Sequence, residues 1–98
     1  MDIVIRKVTV DDMQDVYNLV RELAVFEKEP EALIISVNEY IEAYTESLID
    51  GFVATQNDNV VGIAIFYMTF STWKGKCLYL EDFYVQPAFR RDKIGQQL

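Results

Sequence analysis

The chain has 98 residues, of which 51% are apolar or aromatic, and its formal net charge is −7. This composition predicts one globular domain, because disordered chains are poor in apolar and aromatic residues. A single cysteine excludes an internal disulfide, and the absence of histidine excludes histidine-dependent triads and histidine-ligated metals, so no metal is expected. The negative charge argues against binding nucleic acid or anionic membranes, and it fits either a cationic ligand or simple solubility.

The N-terminal segment predicts a strand followed by an amphipathic helix. Residues 3–8 are rich in β-branched side chains, which favour a strand. Thr9 with Asp12 three positions later is a variant of the capping box, and apolar residues then recur at helical spacing. We therefore expect a helix over residues 11–26. No basic and apolar leader and no membrane-length apolar run is visible, so the expectation is a soluble, cytoplasmic protein.

A second helix is predicted after a charged break at residues 27–31. Ser36 and Glu39 form the S-x-x-E capping box that marks a helix start. An amphipathic stripe follows, and Gly51 is expected at the C-terminal end of this helix.

The rest of the chain predicts three strands. Residues 52–56 and 60–69 are apolar runs separated by the turn-forming residues 57–59, and the second run is apolar on both faces, as in a central strand. Residues 77–85 form another strand, and residues 89–98 read as a basic loop entering a helix. The predicted fold class is α+β, in the order β-α-α-β-β-β, with a mostly antiparallel sheet.

Two consecutive acids, Glu81 and Asp82, interrupt the last apolar strand. Adjacent strand residues point to opposite faces, so one carboxylate should face a helix-covered side or a cleft. A buried carboxylate needs a cation, a proton or water. A strand-end carboxylate bonded to a loop and a functional carboxylate both fit this pattern.

A basic cluster stands out against the acidic composition. Arg90, Arg91 and Lys93 follow a strand and precede a short helical segment, with Gly95 nearby. Backbone N–H groups at such a junction bind anions, whereas a short charge run also occurs as a solvated loop.

These features carry a resemblance to a known family. From Val60 onward the chain resembles the GNAT family of N-acetyltransferases, and it is most similar to the diamine branch with spermidine/spermine and thialysine acetyltransferases. The resemblance implies one partial domain over residues 1–98, ending at the start of the pyrophosphate-binding helix. It is carried by Val61-Gly62-Ile63-Ala64, Trp73-Lys74-Gly75-Lys76, Leu78-Tyr79-Leu80-Glu81-Asp82-Phe83-Tyr84-Val85 and Phe89-Arg90-Arg91-Asp92-Lys93-Ile94-Gly95.

The resemblance implies acetyl-CoA as co-substrate. The backbone of Phe83, Tyr84 and Val85 would meet its pantetheine arm. Lys93 replaces a glycine of the family motif, so we expect cofactor binding that is weaker or adapted. The pyrophosphate would be bound by a segment made of Arg90, Arg91, Asp92, Lys93, Ile94, Gly95 and Gln96.

The resemblance also implies a substrate site for a primary amine of a small di- or polyamine or an amino-acid-like molecule. Glu81 matches the acid beside the accepting amine and is assigned as the catalytic residue, helping the ammonium to lose its proton. Phe26, Glu27 and Asp82 complete the predicted substrate-binding set.

Three functional classes stay open at this point. The chain is the front part of an N-acetyltransferase, a non-catalytic acetyl-CoA-binding or self-associating module, or a remnant without function. The family's later elements, including a tyrosine taken as general acid, have no counterpart here. The last strand would then be an exposed apolar edge, so we expect a homo-oligomer, for example a dimer.

Overall fold

The computed structural model describes residues 3–92 and 94–98, and at positions 91, 92 and 94 it describes the backbone alone. These residues form four strands and three α-helices, together with short 3-10 helices at Val10–Asp12, Pro30–Ala32 and Pro87–Asp92. The predicted α+β class and element order are confirmed. In chain order the elements are β1 (Ile3–Lys7), α1 (Met13–Phe26), α2 (Val37–Thr45), β2 (Asp50–Gln56), β3 (Asn59–Ser71), β4 (Gly75–Val85) and α3 (Ile94–Gln97).

The four strands form one antiparallel sheet in the order β1-β2-β3-β4. Each strand pairs with its neighbour in sequence, so short turns suffice to connect β2 to β3 and β3 to β4. The turn between β2 and β3 is at the predicted place, with Asn57 and Asp58 at φ 50° and 65°. Asn and Asp adopt this left-handed backbone more readily than other non-glycine residues. β3 is paired on both sides and is the predicted central strand.

The predicted helix starts are confirmed with a small change at α1. The carboxylate of Asp12 accepts a hydrogen bond from the backbone N–H of Thr9 at 2.7 Å, as in the predicted capping-box variant. The turn that it stabilises is a 3-10 helix, so α1 itself begins at Met13. At α2, the hydroxyl of Ser36 accepts from the N–H of Glu39 at 3.4 Å.

The end of α2 differs from the prediction. Ser47 takes the left-handed conformation, with φ 62°, and its N–H donates to the carbonyl of Tyr44 at 3.0 Å. Leu48 N–H donates to the carbonyl of Ala43 at 2.8 Å, which completes a Schellman motif. The prediction that Gly51 ends this helix was therefore wrong.

Gly51 lies inside β2 instead, and its lack of a side chain serves packing. A Cβ at this position would collide with the carbonyl oxygen of Ala64 on β3. Glycine in a strand often marks such a close approach of backbone.

The core lies mainly on one face of the sheet. α1 packs its apolar stripe there, and Met13, Val16, Val53 and Ile63 are fully buried. The opposite face carries a smaller cluster of Ala54, Val61 and Val85, which is covered in part by Phe89 and Leu98 from the C-terminal segment. Tyr84 and Val85 therefore point to opposite faces at the end of β4.

Candidate functional site

A cavity of about 510 Å³ lies between the two long helices and the sheet. Its walls are largely apolar, with side chains from α1, α2 and β3. No lysine or arginine lines it in the part of the chain that the structure describes. The polar side chains that line it are Glu27, Glu29, Glu39, Tyr40, Tyr67, Glu81 and Asp82.

A β-bulge in β4 places both predicted acids in this cavity. Asp82 pairs with Ile65 of β3, and Leu80 pairs with Phe66, so Glu81 is the extra residue between them. One of the two acids was expected to face a helix-covered side or a cleft, and both line the cavity, because a bulge interrupts the alternation of side chains along a strand. Glu81 is exposed at the mouth, whereas Asp82 is half-buried.

The cavity favours a positive ligand. Burial raises the pKa of Asp82, and the nearby Glu81 and Glu27 raise it further. Burial also raises the pKa of Tyr40, with a further contribution from Asp82, so its phenol stays protonated. A cation in the cavity would relieve this repulsion and stabilise the ionised acids.

The acids are spread around the cavity and do not converge on one point. Within residues 3–92 and 94–98, no group of three acidic or cysteine side chains is close enough to hold a metal ion. Separated carboxylates on apolar walls suit an organic cation with a hydrocarbon body, because the walls bury the hydrocarbon while the acids meet the charged ends.

Sequence reasoning missed four polar residues of the cavity, Glu29, Glu39, Tyr40 and Tyr67. For two of them, the sequence contains information that could have predicted their place in the cavity. Glu39 belongs to the capping box, yet the cap uses its backbone N–H, and its carboxylate lines the cavity. Tyr67 lies two residues after Ile65, so both side chains share the face of β3 that borders the cavity.

The carboxyl end of β4 presents backbone groups at an open edge of the sheet. The N–H of Gln86 donates to the carbonyl of Val61 at 2.9 Å. Since bonded and non-bonded pairs alternate in an antiparallel ladder, Tyr84 bonds to β3, whereas Phe83 and Val85 direct their N–H and C=O groups outward. The Val85 carbonyl accordingly accepts from Arg90 Nε at 2.8 Å.

Arg90 connects the C-terminal segment to α1. Its guanidinium lies 5.0 Å from the ring centroid of Phe26 and 5.5 Å from that of Tyr84. Phe26 therefore contacts Arg90 and does not line the acidic cavity, whereas Glu27 next to it does. The predicted substrate pair of Phe26 and Glu27 is thus divided between two places.

The remaining residues of the predicted cofactor segment lie beyond β4. Gly95 in α3 packs against Phe83, where a Cβ would lie 3.3 Å from the ring, and Gln96 is exposed. Lys93 lies outside the described residues, as do the side chains of Arg91, Asp92 and Ile94. Their roles toward the pyrophosphate stay predictions.

Comparison with known proteins identifies the family. The model of the Acetyltransferase (GNAT) family matches residues 13–98, and the chain belongs to that family. The thialysine N-epsilon-acetyltransferase of Caenorhabditis elegans is 31% identical over 91 residues, which cover 93% of this chain and 57% of that relative. The mammalian proteins of the same name are covered over 61% to 62% of their length. The chain thus spans about three fifths of the curated relatives it matches.

Solved structures confirm the fold. An aminoglycoside acetyltransferase from an uncultured soil metagenomic sample, in complex with sisomicin, matches with a TM-score of 0.79 and 18% identity over 98% of this chain and 64% of that one. A predicted acetyltransferase from Clostridium acetobutylicum, determined with acetyl-CoA, gives a TM-score of 0.73 and 17% identity over 98% of this chain and 68% of that one.

None of the helices in the described ranges has the length and apolar character needed to cross a membrane.

Proposed function

We propose that this chain provides the amine site and the first part of the cofactor site of an acetyl-CoA-dependent N-acetyltransferase. The substrate is a small molecule with at least two amino groups, such as a di- or polyamine or an amino acid of the thialysine type. The observation that carries this proposal is the β4 bulge, which places Glu81 and Asp82 in one acidic cavity close to the outward-facing backbone of Phe83. The names of the curated relatives support the same chemistry.

The cavity residues act on the amine. An alkylammonium has a pKa near ~10, so it must lose a proton before its nitrogen can attack a thioester. Glu81, exposed at the cavity mouth, accepts this proton directly or through water. Asp82 and Glu27 hold the positive charge of the substrate, and the apolar walls contact its hydrocarbon part.

The open edge of β4 fits the amide-bearing arm of acetyl-CoA. Bound acetyl-CoA would supply the acetyl thioester. Phe83 offers an outward N–H and C=O, and Val85 an outward N–H, that lack a partner strand in the described part of the chain, and an extended amide chain can bond to such groups. The segment from Arg90 to Gln96 would bind the pyrophosphate.

Calorimetric titration with acetyl-CoA and with spermidine, followed by an assay of CoA release with spermidine, thialysine or lysine, tests the proposal. We expect Asp82→Asn to weaken amine binding about ten- to hundredfold, because a charge-assisted hydrogen bond contributes about 1.5–3 kcal/mol. Since the pKa of Asp82 is raised, amine affinity should also fall as the pH is lowered into the range where Asp82 takes up its proton.

Two further variants sharpen this experiment. Glu81→Gln should lower CoA release at saturating amine while leaving acetyl-CoA affinity unchanged. Glu42→Gln, which removes a charge from the exposed face of α2 away from the cavity, is the matched control and should behave like the unaltered chain. If the unaltered chain fails to bind acetyl-CoA, or fails to bind the amine, the proposed function is wrong.

A further inference from the structure

Glu22 forms a link between α1 and the end of β4 that the site described above does not include. One of its carboxylate oxygens accepts from the hydroxyl of Tyr84 at 3.3 Å. The other accepts from Nε2 of Gln86 at 3.0 Å. The two donors lie 62 and 64 positions further along the chain, so a single side chain of the helix holds two residues of a distant segment.

The link is held by charge and by burial. Hydrogen bonds to an ionised acceptor are about twice as strong as bonds between neutral groups. Burial raises the pKa of Tyr84, and the negative Glu22 raises it further, so the phenol keeps the proton that it donates. The ring of Tyr84 is itself buried against the core, which leaves few alternative positions for the hydroxyl.

Tyr84 and Gln86, the two residues that Glu22 binds, flank Val85, whose backbone faces the proposed cofactor site. Val85 lies between Tyr84 and Gln86, and its carbonyl is one of the outward-facing groups of the open edge. Tyr84 also supports Arg90 with its ring. A shift of Tyr84 would therefore move both the Val85 carbonyl and the guanidinium.

We propose that Glu22 is a positioning residue for acetyl-CoA. It holds the carboxyl end of β4 at the place where Phe83 and Val85 present their backbone groups to the pantetheine arm. This inference rests on the proposed function. It predicts that Glu22 influences the affinity for acetyl-CoA and leaves unchanged the affinity for the amine, whose proposed site is the acidic cavity.

The test compares the affinities of two ligands in one set of variants. In Glu22→Ala, the affinity for acetyl-CoA should fall about ten- to hundredfold, because the displaced end of β4 loses hydrogen bonds to the pantetheine arm, while the affinity for spermidine stays within about twofold. Glu22→Gln keeps an acceptor oxygen and should recover part of the loss. Glu42→Gln, which removes a charge far from β4, should change neither affinity.

A second measurement separates positioning from stability. Tyr84→Phe removes one donor without removing the ring, and adding Glu22→Ala to it should cost less than Glu22→Ala alone, because the two residues share one bond. Without ligand present, amide hydrogen exchange at Tyr84, which pairs with Ile63, should be faster in Glu22→Ala than in the unaltered chain, while exchange at Val53 in β2 stays unchanged.

The outcomes are distinct. Equal acetyl-CoA affinity in the unaltered chain and Glu22→Ala overturns this inference alone, as does a parallel loss of acetyl-CoA and spermidine affinity, which would indicate general destabilisation. Failure of the unaltered chain to bind acetyl-CoA overturns the proposed function and this inference together.

Discussion

Among single residues, Asp12 shows how one carboxylate joins the first strand to the first helix. It is buried, and Arg6 Nη1 and Nη2 donate to its two oxygens at 2.7 and 2.9 Å. The hydrogen bond from Arg6 lowers the pKa of Asp12, and Thr9 assists, although burial opposes them. A folded-state pKa below the ordinary 3.8 means that the pairing stabilises the fold above that pH.

This pairing predicts that Asp12→Asn lowers the stability of the fold by an amount that depends on pH. At pH 7 the substitution should lower the free energy of unfolding by about 1–3 kcal/mol, because it removes the buried ionised acceptor of the hydrogen bonds from Arg6 and Thr9. The difference in unfolding free energy between Asp12→Asn and the unaltered chain should shrink as the pH falls through 3.8 and then through the lowered folded-state pKa. Below both pKa values Asp12 is protonated in the folded and the unfolded state alike. Urea unfolding at a series of pH values measures this.

The control for that prediction is the exposed pair of Lys7 and Asp50, which lie 2.7 Å apart on neighbouring strands. Asp50→Asn removes an ion pair of similar length without a buried carboxylate. Surface pairs contribute little, so its effect at pH 7 should be clearly smaller. Equal effects of the two substitutions would contradict the role given to burial at Asp12.

At the scale of elements, the sequence predicts most of the fold because its main signals are local. The spacing of apolar residues and the cap residues Thr9 and Ser36 specify where the helices begin, and the apolar run of β3 specifies its central place. The bulge at Glu81 is not a local signal. It arises because the register of β4 changes by one residue against β3, and no pattern within β4 alone records its partner.

The helix ends illustrate the same limit. Gly51 has the residue type of a helix terminus, yet its position is explained by contact with Ala64, which comes from a different strand. Ser47 takes the left-handed backbone although its side chain does not favour it. A residue type predicts a conformation only where no tertiary contact competes for it.

Ser47→Gly should therefore stabilise the chain. A left-handed conformation costs a non-glycine residue about 1–2 kcal/mol, and the greater freedom of glycine in the unfolded chain offsets part of the gain. We expect the free energy of unfolding to rise by about 0.5–1 kcal/mol in urea titration. Gly51→Ala, the opposite substitution nearby, should lower it because of the collision with Ala64. A destabilised Ser47→Gly would contradict the prediction.

For the molecule as a whole, the sheet has one well-covered region and one bare region. Toward β1, apolar side chains are packed on both faces, whereas the β3–β4 hairpin extends beyond the helices. Large apolar side chains are exposed along this hairpin, and Trp73 at its turn is 93% exposed. The others include Met68, Phe70, Leu78, Tyr79 and Leu80.

This hairpin makes self-association the expected behaviour of the 98-residue chain. β4 pairs with β3 on one side, and its other edge has no partner strand within the described residues. An apolar strand with an unpaired edge is a template for pairing with another chain, and a second copy of β4 offers the same row of backbone groups. Gel filtration with light scattering should show a dimer or larger species whose proportion rises with concentration.

Lysine substitutions in β4 test whether its unpaired edge causes the association. Lysine on edge strands disfavours edge-to-edge pairing, so Leu78→Lys with Leu80→Lys should shift the chain toward the monomer. Val25→Lys with Leu48→Lys is the matched control, because it places the same two charges on exposed positions outside the sheet. A monodisperse monomer of the unaltered chain at high concentration would contradict the prediction. An equal shift by the control would show that the loss of exposed apolar side chains in general, and not the β4 edge, governs association.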